Sequence, residues 1–209
     1  MPNTSAHAQS DYQVRLEWGE AGLARLAPAD VVVVVQTLGL SAHALSACEH
    51  GATLDLAADA DAAASLARAA EAAGAHVVAG GLRNAAAVAA HVMEVQRARG
   101  ERTSISVIAA GAPGDGDAAG LRFAVDDLLG AGAVVAALGD LGIDHASPDA
   151  AVAGEGFRAL GGAVRHLLTA SGNGRALAAE GERDAVLAAA ARDAVTVVPV
   201  LKGGAFSAA

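Results

Sequence analysis

Apolar positions along the chain fall into short runs, and helical patterns separate one run from the next. Five consecutive valines at 31–35 form the clearest run. A continuous β-branched run of this kind is typical of a strand covered on both faces, as in the centre of a parallel sheet. The pattern predicts further strands at 12–18, 53–56, 76–79, 105–109 and 195–201. Because helical patterns lie between these strands, the sequence predicts a three-layer α/β/α fold with a mainly parallel or mixed sheet.

Helices are predicted from apolar periodicity and from capping residues. They cover 19–27, 41–50, 59–73, 85–99, a stretch that begins near 125, 148–168 and 182–192. Ser41, Asn84 and Ser147 are the expected N-caps. The helix at 148–168 is expected to bury Phe157, Leu160, Val164 and Leu167. Pro199 cannot donate to a strand ladder, so the last strand should lie at an edge or break there.

Length and composition set the domain organisation. The 209 residues suffice for one sizeable domain, predicted at 11–209, after a leader at 1–10 that we expect to be disordered. Hydrophobic residues make up 54% of the chain and aromatic residues 2%, so small and branched aliphatic side chains must build the core. The Ala-rich surface that this composition implies makes a homo-oligomer a reasonable expectation.

Charge limits the possible binding partners, and cysteine content indicates the redox compartment. The formal net charge of −9 argues against a nucleic-acid or anionic-membrane surface, because those partners require clusters of Lys and Arg. No apolar run approaches the roughly 20 residues of a membrane span. The single cysteine, Cys48, cannot form an intrachain disulfide. A buried thiol of this kind fits a reducing compartment, so a cytoplasmic location is predicted.

The most informative segment for chemistry is 103–138. A strand at 105–109 leads into a Gly/Asp-rich loop at 111–120, and the following helix carries Asp126 and Asp127 in its first turn. Ligands of open α/β sheets bind outside the carboxyl ends of the strands. Backbone N–H groups at a helix start favour anions and carboxylates attract a cation, which together suit a phosphate ester bound with Mg²⁺. Alternatively, the two acids only complement the helix dipole.

Other motifs leave alternatives open. The 111–120 loop is neither a Walker A nor a GxGxxG motif. Asp115 and Asp117 have the spacing of Ca²⁺-loop ligands, but the closing glutamate is absent, so a solvated turn is the alternative. The turn SGNGR could present Ser171 and Arg175 to a phosphate, or it could only connect two helices. The sequence has no HExxH, CxxC or GxSxG motif to support zinc or a covalent triad.

Several segments resemble one known family in the same order. They are VVAGGLRNAAAVA at 77–89, SVIAAG at 106–111, LRFAVDDLLGAGAVVAAL at 121–138, SGNGRAL at 171–177 and VPVLKGGAF at 198–206. Together they resemble the ComB family of 2-phosphosulfolactate phosphatases. The resemblance implies Mg²⁺-dependent hydrolysis of a small phosphorylated acid. It implies catalytic and metal-binding roles for Asp126 and Asp127, and substrate binding by Asn84, Arg122, Ser171 and Arg175.

The chain also departs from the family pattern. Gln36 stands where the family has an acidic residue, Ala112 replaces a glutamate, and a strand–helix portion with two loops is missing between 75 and 76. A neutral Gln36 cannot serve as the anionic ligand of a hard metal. Two hypotheses follow: a phosphatase with reduced or lost turnover, or a catalytically silent relative that binds a ligand or associates with another subunit. Either way, the end of the valine strand and the acidic helix start should open onto a common hollow at one edge of the sheet.

Overall fold

The structure is a computed structural model that describes residues 5–57, 61–114 and 120–209. Within them the strands are β1 (Val14–Trp18), β2 (Val31–Val35), β3 (Leu54–Asp55), β4 (His76–Ala79), β5 (Ile105–Ala109), β6 (Ala112–Pro113), β7 (Leu121–Arg122), β8 (Pro199–Lys202) and β9 (Ala205–Ala208). The helices are α1 (Gly19–Arg25), α2 (Leu40–Glu49), α3 (Ala62–Ala72), α4 (Ala85–Arg99), α5 (Val125–Asp140), α6 (Pro148–Leu160), α7 (Val164–Ala170), α8 (Gly172–Ala179) and α9 (Arg183–Ala189).

A mixed sheet of seven strands forms the middle layer, in the order β1-β5-β2-β4-β8-β9-β3. Strands β1, β5, β2 and β4 run parallel, whereas β8, β9 and β3 extend the sheet in antiparallel fashion. Strands β6 and β7 form a separate hairpin. The predicted α/β/α architecture is therefore confirmed. Because β1, β5, β2 and β4 are parallel, their carboxyl ends meet at one edge of the sheet.

The valine run of β2 contributes to the hydrophobic core on each face of the sheet. Val31, Val33 and Val35 pack with residues of α4 and α5 on one face of the sheet. Val32 and Val34 pack with residues of α2 and α3 on the other face. All five are at most 1% exposed, as expected for a strand covered on both sides.

The prediction of one continuous helix at 148–168 is wrong, because the structure has two helices there. Helix α6 ends at Leu160, a short 3-10 segment occupies 161–163, and α7 begins at Val164. Gly161 and Gly162 explain the break, because each glycine costs a helix about 1 kcal/mol relative to alanine. As a result Leu160 is 45% exposed, against the expectation that it would be buried, while Phe157 and Val164 are buried as predicted.

The predicted last strand at 195–201 is shifted and is not the last. Strand β8 starts at Pro199, which agrees with the expected break, because a proline can occupy the first position of a strand. It is not an edge strand, because it lies between β4 and β9. The turn at Gly203 and Gly204, with φ of 60° and 83°, leads into β9, which the sequence analysis did not predict. These left-handed conformations suit glycine.

Three capping predictions have different outcomes. Ser147 caps α6 as predicted, because its Oγ accepts from the N–H of Ala150 at 3.2 Å. Ser41 does not cap α2; Gly39 occupies that position, and the Oγ of Ser41 instead accepts from the N–H of Gln36 at 2.9 Å. Asn84 occupies the N-cap position of α4 but makes no side-chain capping bond.

The described part of the predicted leader contacts the sheet domain. Residues 1–4 lie outside the described residues, and residues 6–8 form a 3-10 turn. Ala8 is fully buried, and its carbonyl accepts from the N–H of Ala27 at 2.9 Å. The structure thus differs here from the expectation of a leader without order. In the described residues we find no helix whose length and apolarity would let it cross a membrane.

Candidate functional site

Asp127 joins the carboxyl ends of two neighbouring strands. It is the third residue of α5 and is fully buried. Its Oδ1 accepts from the N–H of Thr37 after β2 at 2.8 Å, and its Oδ2 accepts from the N–H of Gly111 after β5 at 2.9 Å. Burial and, next, the charge of Asp126 raise the pKa of Asp127 well above its usual value, although both N–H bonds oppose this shift. Asp127 therefore anchors α5 to the sheet edge.

Asp126 turns towards a different neighbour. Its Oδ2 accepts from Nδ2 of Asn173 in the first turn of α8 at 3.0 Å. Its backbone carbonyl accepts from the Oγ of Thr37 at 2.8 Å. Adjacent residues on a helix lie about 100° apart around its axis, so two consecutive carboxylates do not face each other. Asp126 thus links α5 to α8, while Asp127 links α5 to the sheet.

Arg122 lies against the start of α8. A Cβ atom on Gly172 would be 3.4 Å from Nη1 and 3.5 Å from Nη2 of Arg122, so the guanidinium lies within van der Waals distance of this position. Ser171 caps the helix, since its Oγ accepts from the N–H of Gly174 at 3.0 Å and donates to the carbonyl of Leu168 at 2.8 Å. The N–H groups that precede Gly174 in the helix have no intrahelical acceptor. A guanidinium and helical N–H groups therefore meet beside Asp126.

The predicted turn at 171–174 is in fact the beginning of this helix. Gly174 must be a glycine here, because a Cβ atom on it would collide with the carbonyl oxygen of Leu168. The predicted binding residues of the segment have different surroundings. Ser171 is 5% exposed and both of its hydroxyl bonds go to the backbone, whereas Arg175 is exposed.

Asn84 is fully buried, and its amide group is used inside the protein. Its Oδ1 accepts from the N–H of Gly81 at 3.1 Å, and its Nδ2 donates to the carbonyls of Ala79 at 3.3 Å and Val197 at 3.2 Å. These bonds fix the turn after β4 and connect it to the segment before β8. In this arrangement Asn84 supports the sheet edge from within.

A cleft of about 570 Å³ opens at the same edge of the sheet, next to the β6–β7 hairpin. Gln36, Asp61 and Gly111 are among the residues that line it. The Nε2 of Gln36 lies 3.3 Å from Oδ1 of Asp61, and its Oε1 accepts from the N–H of Leu40 at 2.6 Å. Gln36 and Asp127 therefore lie at the same edge, as the sequence predicts. Asp127 is buried and does not line the cleft, so the predicted hollow common to both is not formed. Residues 115–119, with the predicted Ca²⁺-loop positions, lie outside the described residues.

Sequence reasoning missed three residues of this edge: Thr37, Asp61 and Asn173. Asp61 accepts from the N–H of Ala63 at 2.6 Å as the N-cap of α3, so an acid before an Ala-rich helix was an available signal. Asn173 lies within the SGNGR motif that the sequence analysis did select. Thr37 gives no signal of its own, because its role depends on the position of α5.

A comparison with known families decides what kind of protein this is. Residues 29–204 match the family described as 2-phosphosulpholactate phosphatase. The chain belongs to this family. The matched segment of this 2-phosphosulpholactate phosphatase family member includes β2, α5 and α8 and thus every residue of the site above. No curated protein matches the chain.

Two family departures fall at the site. Ala112 lies directly opposite Arg122 in the β6–β7 hairpin. Opposite residues of an antiparallel pair have neighbouring side chains on one face, so the glutamate that the resemblance leads one to expect at 112 would stand beside Arg122. With Ala112 no cross-strand acid faces Arg122, and the guanidinium of Arg122 lies against Gly172. Gln36 likewise brings no charge to the cleft.

The site provides only some of the ligands that Mg²⁺ needs. Within the described ranges, no three His, Cys, Asp or Glu side chains cluster closely enough to hold a metal ion. Mg²⁺ in phosphate-binding sites commonly uses one or two carboxylates and keeps several waters and substrate oxygens as ligands. Asp126 is 1% exposed and its Oδ2 accepts from Asn173, so only its Oδ1 suits such a carboxylate, whereas both oxygens of Asp127 already accept N–H bonds. The residues present thus suit an ion held mainly by water and substrate.

Proposed function

We propose that this protein binds a small phosphorylated acid at the carboxyl edge of its sheet and hydrolyses the phosphomonoester with reduced turnover. The observation that carries the proposal is the position of Arg122 at the N-terminal end of α8, beside Asp126. A guanidinium fork and helical N–H groups are a favourable combination for a phosphate dianion. Family membership supports the phosphatase class of this activity.

Each residue of the site has its own role in the proposed reaction. Arg122 and the first N–H groups of α8 bind the phosphate, and Arg175 adds positive charge on the same helix. Asp126 accepts the proton of the attacking water, while the ester P–O bond breaks and the alcohol leaves with a proton from solvent. When bound, Mg²⁺ would be held by Asp126 and would neutralise phosphate charge. Asp127 positions Asp126 through its bonds to the sheet.

Other predicted residues act indirectly in this proposal. Ser171 orients the N–H groups of α8 through its capping bond, and Asn84 holds the turn after β4. Reduced turnover follows from Gln36 and Ala112, because two carboxylates of the family pattern are absent from the cleft. Fewer charged groups then stabilise the transition state, although a phosphate can still bind.

An assay of phosphate release tests this proposal. The purified protein is incubated with Mg²⁺ and either 2-phosphosulfolactate or p-nitrophenyl phosphate. We expect slow turnover that falls about a hundredfold or more in Asp126→Asn and Arg122→Gln. The exposed residues Asp184 and Arg97 provide matched controls, and Asp184→Asn and Arg97→Gln should keep the rate. Equal rates in all four variants, or neither turnover nor calorimetric phosphate binding by the wild type, would refute the proposal.

One observation favours the alternative of a subunit-association module. Leu121 and Phe123 are 49% and 57% exposed, and the ring of Phe123 lies 5.1 Å from that of Trp18. Exposed apolar clusters on small proteins commonly mark contact surfaces. Light scattering tests this idea: a wild-type dimer that dissociates in Phe123→Ser would support association of two copies through this cluster, and a monomeric wild type would refute it.

A further inference from the structure

Two histidines meet between the sheet and α4. His76 is the first residue of β4, and His91 lies in the middle of α4. Their Nε2 atoms are 2.8 Å apart. The ring centroids are farther apart, at 5.1 Å, and the ring planes are inclined by 28°, so the two nitrogens lie between the rings and face each other. At this distance one Nε2–H group donates a hydrogen bond to the other Nε2.

This hydrogen bond depends on the number of protons that the two rings carry. In two neutral imidazoles, one Nε2 is the donor and the other is the acceptor. A first added proton can enter the donor ring at its Nδ1 and leave the bond in place. A second proton must enter at the acceptor Nε2, and two imidazolium rings then present N–H donors and equal charges to each other. The bond is therefore lost when both rings are charged.

The surroundings of the pair oppose its protonation. Both side chains are half-buried, and burial is the largest cause that lowers the pKa of His76 and of His91. Lys202 lies on β8, the strand beside β4, and its charge lowers both pKa values further. Glu94, about one turn further along α4, raises the pKa of His91, but the net shift is still downward. Both rings are therefore mostly neutral at about pH 7.

Other charged groups near the pair hold the two ends of α4. Asp193 accepts from the N–H of Ala86 in the first turn of the helix at 2.8 Å. At the last residue of the helix, Nη2 of Arg99 lies 2.8 Å from Oδ1 of Asp30, which precedes β2. Carboxylates and guanidinium groups ordinarily keep their charge between about pH 5 and about pH 8, whereas imidazoles do not. Acid in this range therefore acts on the middle of α4 and not on its ends.

A cavity beside the pair gives the charged rings access to water. It has a volume of about 540 Å³ and lies between α4 and the segment 195–198. His91 and Glu94 line it, together with Ala87 and Ala90, whose small side chains leave room for a displaced ring. A proton from solvent can thus reach His91, and water can hydrate the imidazolium, without unfolding of the whole protein.

We propose that the His76–His91 pair is an acid-sensitive link between β4 and α4. At neutral pH the N–H···N bond holds the middle of α4 on the sheet. In acid two protons enter from solvent, the bond breaks, and both imidazolium rings bind water instead. The middle of the helix then separates from β4 while its two ends stay attached. This response to acid does not depend on the phosphate site.

A double-mutant cycle measured by urea unfolding tests the link. The proteins are the wild type, His76→Leu, His91→Leu and the double variant. At about pH 7.5 we expect the two substitutions to be coupled by about fivefold in the unfolding equilibrium constant, because one hydrogen bond joins the two side chains. The folded-state pKa values of both histidines are lowered, so the stability that the pair contributes is full above the unfolded pKa and is lost as the pH falls. The coupling should therefore disappear at about pH 5.

Two exposed histidines on other helices, His43 and His166, provide a matched control. A cycle built from His43→Leu and His166→Leu should show no coupling at either pH. An absence of coupling between His76 and His91 at about pH 7.5, or the same coupling at both pH values, overturns the proposal.

Hydrogen exchange followed by NMR tests the link without the leucine variants and replaces the cycle if they do not fold. We expect the protection factors of amides at 88–95 in the wild type to fall about tenfold or more between about pH 7.5 and about pH 5, while those of α5 stay constant. His91→Gln should keep its protection in acid, because the glutamine amide can bond to His76 but takes up no proton. Equal changes in α4 and α5, no change in either, or the same loss in His91→Gln overturns the proposal.

Discussion

Replacing Asp127 by alanine tests the idea that this carboxylate fastens α5 to the sheet. The substitution leaves the N–H groups of Thr37 and Gly111 without their acceptor, at the ends of β2 and β5. A buried donor left unsatisfied costs about 1–3 kcal/mol, so two such donors cost about 2–6 kcal/mol. Alanine also removes a carboxyl group that is costly to bury in its charged form. We therefore expect a net loss of about 2–4 kcal/mol of unfolding free energy.

Urea unfolding followed by circular dichroism, in EDTA to remove bound metal, measures this loss. Asp127→Asn should cost about half as much, because its carbonyl can still accept from Thr37 while its NH₂ group faces the N–H of Gly111. The exposed Asp184 gives a control, and Asp184→Ala should change the unfolding free energy by less than about 0.5 kcal/mol. An Asp127→Ala protein as stable as the wild type would refute the anchoring role.

The pH dependence of the stability difference between wild type and Asp127→Ala provides a second check of the anchoring role. The folded-state pKa of Asp127 is raised above its unfolded value, so its contribution to stability is full below the unfolded pKa and is lost as the pH rises through the folded pKa. The difference between wild type and Asp127→Ala should thus be smaller at about pH 8 than at about pH 5. A stability difference that grows with pH would show that the two N–H bonds lower the pKa of Asp127 more than burial raises it.

Four further substitutions test the packing of α6, each by thermal unfolding. Gly132→Ala should be strongly destabilising, by about 1–3 kcal/mol or more, because its Cβ would collide with the carbonyl oxygen of Ala153; no change would show that α5 and α6 can separate. Ser147→Ala should cost about 1 kcal/mol through the lost cap, and an unchanged melting temperature would contradict this. Phe157→Ala should cost about 3–5 kcal/mol and Leu160→Ala less than about 1 kcal/mol; similar costs would contradict the observed difference in burial.

The centre of the fold could be predicted from sequence because its pattern is local. The valine run at 31–35 has no polar interruption, so only a strand buried on both faces accommodates it, and its neighbours follow from the alternation of strands and helices. The periphery could not be predicted equally well. The break after Leu160 depends on Gly161 and Gly162, and the hairpin at Gly203 depends on left-handed backbone conformations that a pattern of apolar positions does not reveal.

The candidate site could be predicted in position but not in its internal contacts. The acidic helix start does lie at the carboxyl edge, as expected for an open α/β sheet. Helical geometry alone already places Asp126 and Asp127 about 100° apart, which argues against one ion bound equally by both. The partner of each carboxylate, Asn173 for one and Thr37 with Gly111 for the other, depends on how distant segments pack. Such contacts have no signature in local spacing.

Under the proposed function, the neutral residues Gln36 and Ala112 favour ligand binding over turnover. Gln36 and Ala112 line the cleft without a charge, and Arg122 has no cross-strand carboxylate beside it. An anion therefore meets less repulsion at the start of α8, while fewer groups remain to hold a metal or move a proton. Binding can be retained at a site where turnover has fallen, because the groups that bind phosphate and those that activate water lie on different elements. Under the proposed function, this division lets the protein bind a phosphorylated ligand while it turns that ligand over slowly.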